Sequence, residues 1–116
     1  LKNIYEFELA GKVYQDIYNT YKDELDGDVM AEYAQTLFLS GGRKFNNDID
    51  EIINSSLEKN SLNPLTLTLK GLSELEKGNP SLTIGYWQKA LPLLSSKKEK
   101  DELVALIEVV KKRKNQ

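Results

Sequence analysis

Thr83-Ile84-Gly85-Tyr86-Trp87-Gln88-Lys89-Ala90-Leu91 is the stretch that decides the fold of this 116-residue chain. Thr83, Trp87 and Leu91 stand four apart, so on a helix they lie one above another on a single face. The same arrangement occurs upstream as Ile49, Ile53 and Leu57, and again as Ile17, Tyr21 and Leu25, at spacings of 32 to 34 residues. A short Gly-containing turn precedes each: Gly11-Lys12, Gly42-Arg43 and Gly78-Asn79. Three copies of one turn-and-helix unit imply an all-α repeat architecture rather than a single irregular core.

The period and the helix pattern resemble those of tetratricopeptide repeats. The expected fold is an α-α superhelix of three helical hairpins, at about 1–27, 28–61 and 62–95. A capping helix at about 97–113 covers the last apolar face. Seven helices fit. The first spans 1–10, the second runs from about 13 to 25, and the third from about 28 to 40 with Asp28 as its N-cap. Ser40-Gly41-Gly42 then breaks the chain, and Asn47 or Asp48 caps the fourth helix, which reaches about Lys59. Asn63-Pro64 opens the fifth with a cap residue and a Pro at the first helical position. Gly78-Asn79-Pro80 repeats that device for the sixth, to about Leu94. Ser95 or Ser96 opens the seventh, with Leu103, Leu106, Ile107 and Val110 at core spacing. Leu65 to Leu69 alternates like a strand, but the Pro start, Gly71 and the flanking helices overrule that local preference.

Bulk composition narrows the function. Hydrophobic residues make up 40% and charged residues 29%, ordinary for one globular domain. A net charge of -2 recommends no nucleic-acid partner. The basic run Lys111-Lys112-Arg113-Lys114 suits a helix C-terminus, where cations complement the dipole. The chain has no Cys and no His, which removes thiol nucleophiles, His bases and zinc sites built on those ligands. Asp48, Asp50 and Glu51 lack the EF-hand loop, and carboxylates in a first helical turn are favoured by the dipole alone. Gly41-Gly42-Arg43-Lys44 lacks P-loop spacing and reads as a turn, with Arg43 meeting a neighbouring carbonyl. No cofactor, metal site or catalytic residue is expected, and the chain is read as no enzyme. No apolar run is long enough to span a bilayer, so no direct membrane contact is expected. The chain begins at Leu1 rather than Met and reads as a piece of a longer protein.

In stacked hairpins the inner-helix residues face the groove. Taking Ala34 and Gly71 as equivalent close-packing positions, the inward set is Ala31, Gln35 and Phe38, then Thr68, Leu72 and Leu75, with Tyr5 and Glu8 from the first helix. An apolar groove with a few polar groups suits an amphipathic helix or an extended peptide. The alternative is that neighbouring helices, or the seventh helix folding in, cover Leu72 and Leu75. Ile17, Ile49 and Thr83 are expected where two helices of a hairpin approach, and Tyr21, Ile53 and Trp87 in the gap to the next repeat.

Two stretches go beyond the generic repeat. Tyr33-Ala34-Gln35-Thr36-Leu37-Phe38 with Gly41-Gly42-Arg43-Lys44-Phe45 is one. Gly71-Leu72, Glu76-Lys77-Gly78-Asn79 and Ile84 through Leu94 form the other. Together they resemble the tetratricopeptide domain of the c-type cytochrome maturation proteins, the CcmI/CycH and NrfG group, over about residues 28–95. Thr83 stands where that pattern has Ala, and Pro80 replaces an aromatic. The resemblance implies a periplasmic domain of a bacterial inner-membrane protein. It also implies an adaptor or chaperone that binds the C-terminal helix of an apocytochrome, a thiol-reducing partner or another subunit of the maturation complex, for haem attachment. The competing expectation is a structural tetratricopeptide scaffold in another envelope or secretion assembly, binding through its outer surface.

Overall fold

The computed structural model describes Lys12, Gln15, Asp16, Asn19 and residues 25–114. Those first four residues are helical and exposed. The rest of the expected first hairpin, including Tyr5, Glu8, Ile17 and Tyr21, lies outside the described residues. The structure is all-α: residues 25–114 form five helices and one 3-10 turn, and no strand occurs among the described residues. They fall into two compact units, residues 1–60 and 61–116.

The first unit pairs α1 (Gly27–Ser40) with α2 (Asn47–Lys59). Asp26 caps α1, its carboxylate accepting the Val29 N–H at 2.9 Å, so the cap lies two residues before the expected Asp28. Asn46, not Asn47 or Asp48, caps α2 by accepting the Ile49 N–H at 2.9 Å. In both cases the side-chain oxygen three residues before the bonded amide is the one that reaches an unpaired first-turn N–H. Gly27 is a close approach rather than a turn. A Cβ there would stand 2.8 Å from the Ser56 carbonyl oxygen. The Ser56 hydroxyl donates to the Gly27 carbonyl at 2.6 Å, pinning the start of α1 to the end of α2.

The second unit pairs α3 (Pro64–Glu76) with α4 (Pro80–Ala90) and adds α5 (Lys97–Lys114), packed on α4 and on the 3-10 turn Leu91–Leu93. Asn63 accepts the Thr66 N–H at 3.0 Å and Pro64 takes the first helical position, as the sequence indicates. Leu65 to Leu69 is helical, and the Thr68 hydroxyl turns back to the Pro64 carbonyl at 2.7 Å. The sixth expected helix stops short of Leu94. Pro92 has no N–H to continue the α ladder, and the chain tightens into the 3-10 turn. On α5 the core face is Leu103, Ile107 and Val110, all below 5% exposed, while Leu106 is 50% exposed. Leu106 sits about 60° round the helix from Leu103, at 100° per residue, which is enough to leave the contact.

Both hairpins turn on the same device. Gly42 and Gly78 hold positive φ angles of 78° and 83°. Behind each, an N–H reaches back five residues: Arg43 to the Phe38 carbonyl at 2.8 Å, and Asn79 to the Glu74 carbonyl at 2.9 Å. These are Schellman terminations, in which a left-handed residue lets the chain satisfy the last helical carbonyls. The first turn is sealed by Phe38 stacked on Phe45, ring centroids 4.4 Å apart. The second is sealed electrostatically. The Asn79 amide donates to the Glu74 carboxylate at 2.9 Å, and Lys70 and Lys77 lie 3.5 and 3.9 Å from it. The Asn79 hydrogen bond, helped by the two lysines and opposed by burial, holds the Glu74 carboxyl below the usual glutamate value.

The middle of the second unit is set by Gly71. A Cβ there would stand 2.4 Å from the Trp87 indole nitrogen, so the absent side chain is what lets Trp87 lie on α3. That indole N–H donates to the Thr68 carbonyl at 3.0 Å. Thr83, fully buried, donates to the Gly71 carbonyl at 2.8 Å, which satisfies its hydroxyl at a position where Ala was the expected pattern. Trp87 thus packs on α3 of its own hairpin.

Candidate functional site

The expected groove residues of the first unit have different environments. Ala31 is fully buried, and Phe38 is 7% exposed beneath Phe45. Both belong to the core and present little surface to a partner. Gln35, half-buried on the same face of α1, is the member of that set with a polar group near solvent. Across α1, a hollow of about 490 Å³ opens beside Tyr33, Leu37 and Ser40, with Asn46, Asp48 and Glu51 on its α2 side. It gathers amides and carboxylates without forming a group of metal-ligating side chains among the described residues. Two amides of the Gly41-Gly42-Arg43-Lys44 turn are spent on the end of α1: the Arg43 N–H on Phe38, and the Gly41 N–H on Leu37 at 3.0 Å.

The second unit carries the more complete site. Thr68, Leu72 and Leu75 are all half-buried. They fall at i, i+4 and i+7, so they form one stripe along α3, and Leu65 extends it by one turn. Beside the N-terminal end of this stripe lies a cleft of about 340 Å³. Pro64, Leu65 and Thr68 form its α3 wall, and Leu94 comes from the connection after the 3-10 turn. Glu99, Glu102 and Leu106 form the α5 wall. The last helix therefore neither fills this end of the stripe nor leaves it open; it builds the opposite wall. Thr68 faces the cleft with its hydroxyl proton already given to Pro64, so toward a ligand it is an acceptor.

The two carboxylates at the cleft differ in their duties. Glu99 belongs to the cap of α5: the Ser96 hydroxyl accepts the Glu99 N–H at 3.0 Å and donates to the Glu99 carboxylate at 3.1 Å. Glu102 is exposed and makes no ion pair among the described residues. Leu65 was readable from its spacing to Thr68 and Leu72. Leu94, Glu99 and Glu102 join the site only through the position of α5 on α4, for which the sequence carries no periodic signal.

No family model matches the chain, and no solved structure matches it. Among curated proteins it is similar to the "Cytochrome c-type biogenesis protein CycH" of Pseudomonas aeruginosa, 30% identical over 74 residues. The match takes in 61% of this chain and 18% of that protein, so the chain spans less than a fifth of that relative's length.

Proposed function

We propose that this chain is a non-catalytic, peptide-binding tetratricopeptide domain of c-type cytochrome maturation. In this reading it holds the C-terminal helix of an apocytochrome, or a thiol-reducing partner, while haem is attached elsewhere. The observation that carries the reading is the similarity to a cytochrome c-type biogenesis protein, which spans 61% of the chain. The half-buried stripe Leu65, Thr68, Leu72 and Leu75 gives the peptide a place to bind, with apolar anchors spaced for a helix. A chain without Cys or His suits a holder that performs no haem or thiol chemistry itself. The same reading puts the domain on the periplasmic face of a bacterial inner membrane, as part of a longer anchored protein.

Calorimetric titration with a synthetic peptide of an apocytochrome C-terminal helix, against a scrambled peptide of equal composition, tests this. Saturable micromolar binding, about -8 kcal/mol, with none for the scrambled control, is expected. Leu72→Asp should weaken it with helicity intact. Equal heats from both peptides would remove the adaptor reading.

A scaffold role is favoured by a separate observation. Leu82 is 51% exposed on α4, beside Tyr86 and Lys89, at a shallow hollow of about 200 Å³. If that surface did the binding, Leu82→Asp and not Leu72→Asp would disrupt assembly.

A further inference from the structure

We infer that the cleft between α3 and α5 selects helical segments with a Lys or Arg one turn from an apolar anchor, and that Glu102 does the selecting. This rests on the adaptor reading above and names the partner chemistry of one part of its surface. The cleft is apolar in its floor and one-signed in its charge. Leu65, Leu94 and Leu106 offer aliphatic surface, and the two charged residues lining it, Glu99 and Glu102, are both acidic. The α3 wall contributes no charge to set against them. Lys98, one turn before Glu102, makes no ion pair with it among the described residues.

Register follows from the helix. Glu102 and Leu106 are four residues apart, so they stand one above the other on α5. Leu106, half exposed, is the apolar step at the cleft mouth. A partner helix that sets a Leu or Ile against Leu106 and Leu65 brings its own residue three or four positions away level with Glu102. A basic side chain there meets an available carboxylate, whereas an acidic one meets a like charge beside an apolar surface. Complementary rim charges chiefly set register, partner choice and on-rate, so the signature is discrimination rather than great affinity.

Two synthetic helical peptides of identical composition test this on the intact chain by calorimetry. One carries Leu anchors at i, i+3 and i+7 with a Lys at i−1, four positions before the central Leu. The other has that Lys moved to the opposite face. The first should bind about fivefold more tightly at low salt, the range of an exposed ion pair, and the gap should close as salt rises. Glu102→Lys should abolish or invert the preference, while Glu102→Gln should level it. Glu102 lies outside the Ser96–Glu99 cap, so both variants should keep the helical content of the parent, checked by circular dichroism. Leu106→Asp should weaken both peptides. If an apocytochrome peptide and both probes bind but ignore Glu102→Lys and Leu106→Asp, this selection is wrong and the adaptor reading survives. If no peptide binds, both fall.

Discussion

Gly71 and Gly85 are both helical, and they carry opposite expectations. At Gly71 an added methyl would meet the Trp87 indole at 2.4 Å, while at Gly85 it would meet nothing within 4 Å. Gly71→Ala should therefore cost about 1–3 kcal/mol through overpacking. Gly85→Ala should gain about 0.5–1 kcal/mol, since Ala loses less backbone freedom than Gly in a helix. Urea unfolding of the two variants against the parent decides it, and equal shifts would mean that Trp87 does not rest on Gly71. At this scale much was legible. Thr83 and Trp87 are core residues, and Gly71 was recognisable as a close-packing position because it replaces a side chain in the middle of a strong helix. Phe38 reads from spacing as a groove residue because helix spacing cannot register a ring arriving from the next loop; Phe45 is what buries it.

At the scale of the element, the turn joining α3 to α4 is held by a charge whose contribution has a definite sign. Glu74 sits below the glutamate value of 4.5, so its network stabilises the fold fully above that pH and loses the contribution as pH falls through the lower folded value. Thermal melting of the parent and of Glu74→Gln should differ most near neutral pH and converge in acid. A gap that widened on acidification would contradict the assignment. The last helix gives a second contrast. Ile107 is 4% exposed and Leu106 is 50% exposed; Ile107→Ala should cost about 2–5 kcal/mol, and Leu106→Ala no more than about 0.5 kcal/mol. Denaturant midpoints measure both. Element type and order were legible throughout the described residues because Gly-containing turns and Asn-Pro starts punctuate the chain so clearly. Boundaries slipped where the choice lay among neighbouring polar residues. Asp26 and Asp28, or Asn46 and Asn47, are chemically equivalent as caps, and only the backbone decides which oxygen reaches an amide.

At the scale of the molecule, each described unit closes its own hairpin with its own caps, and the second adds a helix that covers α4. A fragment of residues 61–116 should therefore show helical circular dichroism and a cooperative melt, although at this size burial leaves little margin. A broad, featureless melt would show that the unit does not hold its core alone. The repeat pattern disclosed the hairpins, but not the cleft. A period describes what successive units share, whereas the α5 wall belongs to the last unit alone. Trp87 is the single tryptophan of the chain. It is 3% exposed, and its indole is bonded to the backbone of Thr68, a residue that lines the cleft. Its ultraviolet emission thus originates wholly within the second unit, one hydrogen bond from the surface where a peptide would lie. The protein carries its own optical probe, able to report occupancy of that surface and unfolding of that unit without any added dye.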